Sequence, residues 1–180
     1  MLRCQQRTGA GTSMPGSHWM ISLTPENYAA TCRNGFTTLG VKSRHRRKAE
    51  RMAPGDRVLY FLSQRNAFPA IATITSHFYE DHRPIWVNYD QKPDDYPWRV
   101  SLEVDIELEP HEWLDAYQLA PRLLYVKRWP PEFWQLAFQG SVHLLSSQDF
   151  RLVEREMERL VESRGRRPER VGRAPKRGRW

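Results

Sequence analysis

From Trp98 to Leu108 the chain alternates without a break: Val100, Leu102, Val104, Ile106 and Leu108 fall on one side, and Arg99, Ser101, Glu103, Asp105 and Glu107 on the other. A period of two sustained this long marks a β-strand with one buried and one wet face. Pro110 closes it. Such a strand needs neighbours to pair with and a layer to cover its apolar side, so the rest of the chain is read for both. His18–Leu23 is a short apolar run that suits a strand. Pro54-Gly55-Asp56 is a turn that launches an aromatic-rich strand at Arg57–Leu62, and Pro69–Ser76 alternates as its partner. Val142–Leu145 reads as a last short strand. Thr24 is an N-cap and Pro25 a first helical residue, predicting a helix to about Arg33 that ends at Asn34-Gly35. Gly35–Gly40 reads as a loop. Ser43 then caps a second, basic helix that stops before Pro54. Short helices are predicted at Glu112–Leu119 and Glu132–Phe138. Ser146-x-x-Asp149 resembles a capping box opening a helix with Phe150, Val153, Met157, Leu160 and Val161 on one face. The chain shows no internal repeat. The pattern predicts an α+β fold: a small β-barrel of about five or six strands flanked by helices.

Residues 1–17 are rich in Gly, Ser and Thr without apolar period and read as a disordered leader, with Met14 as an alternative start. Residues 164–180 hold eight basic residues against Glu169 and read as a disordered Arg-rich tail. The folded body is then 18–163. The net charge is +7, and the tail supplies all of it, so the body is formally neutral. Within the body, residues 42–57 carry seven Lys/Arg against Glu50 and Asp56, and residues 94–115 carry eight acids against Arg99. A neutral body with one basic segment can hold a polyanion on one face and repel it elsewhere. The plainer reading of each charge run is a solvated face. No run approaches the roughly 18–20 apolar residues of a membrane span, and no signal peptide is apparent, so a cytoplasmic location is expected. Cys4 and Cys32 give neither an expected disulfide nor a zinc site, and no metal or cofactor is predicted.

The six histidines form no metalloprotease pair, and the chain has no Gly-rich phosphate loop and no G-x-S-x-G elbow. His111-Glu112 reads as a helix start. No catalytic residue is predicted, and the chain is expected not to be an enzyme. Aromatic residues are the stronger signal. Trp19, Trp86, Trp98, Trp113, Trp129, Trp134 and Trp180 are joined by seven Tyr and seven Phe. Trp113 and Phe150 fit apolar helical faces. Trp19, Tyr60, Phe61, Trp98 and Trp129 fall at strand ends or beside turns. Each also fits an ordinary core, but rings at the rim of a barrel offer surfaces on which a splayed-out base stacks, worth about 1–3 kcal/mol per base.

Several stretches, in order, resemble the EVE domain family, a branch of the PUA-like barrels related to YTH and ASCH domains. They are His18-Trp19-Met20-Ile21-Ser22, Gly35-Phe36, Met52 through Phe61 with its Pro-Gly-Asp, Ala70-Ile71-Ala72, Tyr96-Pro97-Trp98-Arg99-Val100, Phe138-x-Gly140 and Leu145 through Phe150. The resemblance implies a pocket at one end of the barrel. Related YTH domains hold a methylated adenine in an aromatic cage, and EVE domains are associated with modified bases such as modified cytosines in DNA, some of them fused to restriction nucleases. Carried over, Ser22 lines the pocket floor, Tyr60, Phe61 and Ser63 form a wall, Trp98 is the stacking aromatic, and Phe36 with Thr37 or Thr38 comes from the loop above. Lys42, Arg44, Arg46, Arg47, Lys48 and Arg99 are the expected phosphate contacts. Ile21-Ser22-Leu23 stands where the related eukaryotic proteins have Lys-Ser-Glu, and their loop Trp is replaced by Thr38 or its neighbours. The implied partner is DNA or RNA carrying a modified base, bound by a monomer, with any effector nuclease acting in trans. The alternatives are an ASCH/PUA-type RNA-binding module, a hydrolase on the same barrel, and a protein–protein adaptor.

Overall fold

The computed structural model describes residues 16–86 and 96–164. The expected leader through residue 15, the tail from 165 onward and Cys4 lie outside the described residues. In chain order the elements are β1 (His18–Leu23), α1 (Pro25–Arg33), β2 (Thr38–Val41), α2 (Arg46–Ala49), β3 (Arg57–Leu62), β4 (Ala67–Phe68), β5 (Ala70–Ile74), β6 (Tyr79–Glu80), β7 (Trp98–Glu107), β8 (Leu114–Asp115), α3 (Ala116–Leu119), β9 (Val142–Leu145) and α4 (Ser147–Arg164). Tighter 3-10 turns occupy Ser43–His45, Ala120–Arg122 and Pro131–Phe138.

Six strands form a curled mixed sheet, a half-barrel, in the order β2-β7-β5-β3-β1-β9, and the two-residue strands β4, β6 and β8 pair at its margins. β1 and β3 run parallel, with His18 opposite Arg57 and Leu23 opposite Leu62; β1–β9, β3–β5, β5–β7 and β2–β7 are antiparallel. A parallel pair needs a long crossover, and residues 24–56, with α1, β2 and α2, supply it. The β5–β7 register slips between Ile71 and Ala72, a bulge of the kind that bends a sheet. The helices complete the α+β fold.

The curl leaves the central strands buried on both faces. Trp19, Ile21, Val58 and Tyr60 enter one apolar cluster with Tyr28, Phe36, Leu39 and Val100. Their chain neighbours Met20, Leu59 and Phe61 enter a second, with Phe68, Ile71, Phe150, Val153 and Met157. That double burial explains why β1 and β3 read as continuous apolar runs, whereas β7 shows clean alternation along its outer half. Asp56, from the Pro-Gly-Asp turn, is buried and ties the start of the sheet together. Its carboxylate accepts from Ser17 N (2.7 Å), Trp19 Nε1 (2.8 Å) and Ala53 N (3.2 Å).

Local expectations hold for α1, where Thr24 Oγ1 accepts from Asn27 N at 3.2 Å, and differ at four places. The expected Gly35–Gly40 loop gives way to β2, whose pairing with β7 confers order that a four-residue, Gly-containing segment cannot show as a period. The second helix is a 3-10 turn followed by the single turn α2, and Lys42 rather than Ser43 holds the position before it. Trp113 precedes β8 instead of riding a helix, and its indole donates to the Leu108 carbonyl. The capping box is half formed: Ser146 Oγ accepts from Asp149 N, but the Asp149 carboxylate turns inward to Leu124 N (2.7 Å) and Tyr125 N (2.9 Å). Among the described residues no helix is long and apolar enough to cross a membrane.

Candidate functional site

A cavity of about 500 Å³ lies where the end of β1 meets α1. Its shape follows from local bonding. Ser22 N donates to Ser141 O (3.0 Å), which holds the approach to β9 against β1. Ser63 N donates to Leu23 O (3.1 Å), which folds the end of β3 over the end of β1. The Thr24 cap starts α1 at the cavity wall and sets Asn27 on the lining. Ser22, Ser63, Asn27 and Asn66 thus bring hydroxyls and amides to the lining.

The aromatic part of the lining comes from two ring pairs. Trp86 and Tyr96 meet edge to face, with ring centroids 5.0 Å apart at 86°. The Trp86 indole donates to Thr31 Oγ1 (3.0 Å), and that hydroxyl donates to Asn27 O (3.0 Å), so α1 locks the indole in place. Phe61 and Phe138, also on the lining, stack at 4.6 Å and 27°. Gly40 of β2 lies on the lining, and a β-carbon there would strike the Arg99 guanidinium and come within 2.8 Å of Ile85 and 3.0 Å of the Tyr96 β-carbon. Glycine is therefore what lets Tyr96 pack against β2. Lys42 Nζ lies 5.2 Å from the Tyr96 ring centroid, and Lys42 and Arg44 are the two cations on the lining among the described residues.

Of the expected base-pocket residues, Ser22, Phe61 and Ser63 line this cavity. Phe36 and Tyr60 are core residues, packed edge on to each other at 5.6 Å and both against Tyr28. Thr38 pairs with Ser101 within the sheet and does not reach the lining; Thr37 is exposed. Trp98 also lies off the lining. Its indole donates to Ser43 O (3.3 Å), its ring meets Phe78, and the Arg46 guanidinium sits 4.8 Å over it. Among the described residues the rings on the cavity are Trp86, Tyr96, Phe61 and Phe138.

The expected phosphate contacts separate in the same way. Lys42 and Arg44 face the cavity, and Arg47 is exposed. Arg46 pairs with Glu50 at 2.8 Å besides covering Trp98. Lys48 Nζ donates to Val142 O at 2.5 Å, strapping α2 to β9. Arg99 is corrected outright. It is 1% exposed, and its Nη2 donates to Arg83 O at 2.8 Å, so it supports the wall behind Gly40 and reaches no phosphate. On the edge beside the cavity, burial lowers the pKa of both His45 and His143, and Lys48 pushes both the same way. Tyr125 Oη lies 2.8 Å from His143 Nδ1.

Among the described residues the lining carries no carboxylate, imidazole or thiol, and no group of three or more His, Cys, Asp or Glu could hold a metal ion. What the site presents is apolar ring faces, neutral hydrogen-bonding groups and two cations: the chemistry of binding a flat, polar-edged, anionic molecule.

Comparison with solved structures gives the same architecture. An uncharacterised protein of Leishmania major superimposes with a TM-score of 0.55 at 17% identity, covering 81% of this chain and 97% of its own. The YTH domain of Mmi1, in a complex with RNA, gives 0.61 at 9% identity, covering 84% and 87%. The YTH domain of Zygosaccharomyces rouxii MRB1, solved with N6-methyladenosine RNA, gives 0.57 at 10% identity, covering 79% and 87%. No curated protein sequence matches. At these identities the superpositions speak for the fold. The family model describing the EVE domain matches residues 17–156, most of the chain and the whole of the half-barrel, and this protein belongs to the EVE domain family.

Proposed function

We propose that this EVE domain is a nucleic-acid-binding module that takes one base, carrying a modification, into the cavity beside β1. The observation that carries the reading is the cavity itself. At about 500 Å³ it lies within the range of about 300–1,000 Å³ usual for small-ligand sites, and it is built as such sites are, from apolar faces and a few placed polar groups. Trp86, Tyr96, Phe61 and Phe138 supply the ring faces, Ser22, Asn27, Ser63 and Asn66 supply groups to read a base edge, and Lys42 and Arg44 supply charge for the flanking phosphates. A base enters only when it is unpaired or flipped out of its stack. The basic residues beyond Arg164 add sequence-independent attraction that weakens with salt. The two YTH neighbours solved with RNA favour RNA as the first ligand to try. No catalytic step is assigned to the chain.

The test is fluorescence anisotropy with single-stranded RNA containing N6-methyladenosine, single-stranded DNA containing 5-methylcytosine, and the unmodified strands. One modified strand is expected to bind at least about tenfold tighter than its unmodified twin, a difference of about 1.4 kcal/mol. Ser22→Tyr, which fills the cavity with a phenol ring, is expected to abolish that preference. Equal affinity for all four strands, or a Ser22→Tyr protein with unchanged preference, overturns the proposal.

A further inference from the structure

The aromatic wall does not stop at the cavity. Phe138, stacked on Phe61 inside, meets Trp134 edge on at 5.7 Å, and Trp134 meets Tyr117 at 4.9 Å. Tyr117 is 54% exposed. A row of rings therefore leads from the lining to the surface. Beside it the Pro131–Phe138 turn breaks at Phe133, whose φ of −121° and ψ of 22° are not helical, and the Phe133 side chain is 57% exposed. Trp129 and Leu124 on the preceding loop are 39% and 43% exposed. Single exposed apolar residues are commonplace, but aromatic residues gathered on one segment beside a cavity ask for an occupant.

Charge selects the occupant. Arg122 is paired with Glu156 at 2.8 Å, so the charge that residues 120–138 offer is Lys127 and Arg128 against Glu132. Lys127 and Arg128 are exposed, and the Arg128 guanidinium lies 5.1 Å from the Tyr125 ring centroid. Ring faces interleaved with cations are the recurring chemistry of single-stranded nucleic acid sites, where successive bases stack on side chains and the groove tracks the phosphates. A duplex keeps its base faces stacked on one another, and they reach a protein ring only at the cost of flipping or unstacking, which an unpaired strand does not carry.

We propose that this surface, with Tyr117 and Phe133 as its outer rings, is a stacking platform for the unpaired nucleotides next to the base held in the cavity, so that the ligand is a single strand rather than a duplex. The proposal rests on the base-binding reading of the cavity for its direction, but its residues are separate. Gln135, Phe138 and Gln139 line the cavity from the same segment, so a strand leaving the cavity along it meets the exposed rings next.

The experiment compares the full chain, Tyr117→Ala/Phe133→Ala, and Ser22→Tyr on a mixed-sequence single strand of about 12 nucleotides and on the same sequence as a duplex. The wild type is expected to favour the single strand. The double variant, whose two side chains are exposed and whose folding is checked by its unfolding midpoint, is expected to bind that strand at least about tenfold more weakly, with the slope against salt unchanged because no charge was removed. Unaltered affinity in the double variant overturns the proposal, as does equal binding of duplex and single strand by the wild type. So does a wild-type dimer in sedimentation that the double variant dissolves, which would give the surface to a second copy of the chain. The two readings fail separately: the platform stands or falls on the double variant's affinity for the unmodified strand, whereas the cavity reading stands or falls on whether Ser22→Tyr loses the preference for a modified strand, which Tyr117→Ala/Phe133→Ala is expected to keep.

Discussion

Gly40→Ala tests whether the cavity wall is built as described. Gly40 sits in β2 with its α-carbon facing the site, and an added methyl would meet three groups at once: the end of the Arg99 side chain, Ile85 Cδ1 at 2.8 Å and the Tyr96 β-carbon at 3.0 Å. Arg99 and Ile85 end in flexible atoms that can swing away. Tyr96 Cβ cannot move without its backbone. Overpacking of this kind costs about 1–3 kcal/mol. Arg99 moves only by loosening the bond from its buried guanidinium to Arg83 O, and a hydrogen bond from a charged group is worth about 1.5–3 kcal/mol. Because either group can yield part of the way, the two costs combine to roughly 2–4 kcal/mol. With a urea m-value of about 2 kcal/mol/M, the unfolding midpoint falls by about 1–2 M. The same displacement shifts Tyr96 against Trp86, so Gly40→Ala is expected to bind nucleic acid weakly even in buffer where it is fully folded. Gly35→Ala is the control. Gly35 has φ of +63° and open space around its α-carbon, so alanine there costs about 1–2 kcal/mol of backbone strain and leaves binding intact. A Gly40→Ala protein with the parent's midpoint and affinity would refute both the packing argument and the placement of Tyr96 on the wall.

Three further outcomes are expected. Asp56→Ala removes the acceptor of the Trp19 indole and of two backbone amides and should cost about 3–5 kcal/mol in denaturant unfolding, with Asp56→Asn recovering part; a loss below about 1 kcal/mol would contradict the buried network. Asp149→Ala frees the Leu124 and Tyr125 amides and should cost about 2–3 kcal/mol while leaving α4 helical by circular dichroism. Burial, reinforced by neighbouring cations, holds His18, His45 and His143 below the usual 6.5. The unfolded chain therefore binds more protons than the folded one in that window. The stability these rings contribute is full above about pH 6.5 and is lost as the pH falls through their folded values, so Tm should drop from pH 7 to pH 5 and His143→Gln should flatten the fall; a Tm that rises on acidification would refute it.

The strands were legible because their physics is local. β1, β3 and β9 have the bounds that apolar runs between turn residues predict, and α1 follows from Thr24, Pro25 and Asn34. The Pro-Gly-Asp stretch carries the family resemblance, and the structure gives it a structural reason in the buried Asp56 carboxylate. On the polar side of the cavity, Ser22 and Ser63 were implied by the family resemblance alone, and they stand on the lining near the ends of the parallel neighbours β1 and β3.

Apart from Phe61, the ring faces were not legible, and the reason is geometric. Trp98 begins the alternating strand, and a period of two places it on the same side as Val100, toward the core, where Phe78 and Arg46 cover it. Trp86 and Tyr96 come from a stretch with no period at all, and Trp86 is fixed by the hydroxyl of Thr31, 55 residues earlier in the chain. No window of neighbouring residues contains that bond. The basic run at 42–57 fails for a related reason. Composition counts charges but not where they point: Arg46 faces Trp98, Lys48 bonds a carbonyl of β9, Arg57 pairs with Asp105 and Glu154, and only Lys42 and Arg44 turn to the cavity. Arg99 is the sharpest instance. By alternation it belongs to the wet face of β7, but at that end of the strand the guanidinium is buried beside Ile85 and Tyr96 and bonds the Arg83 carbonyl, and it becomes part of the wall. Where a sheet curls enough to enclose a cavity, the residue that alternation assigns to solvent is the one that ends up behind it, so period-two reasoning is least reliable at the place where the site forms.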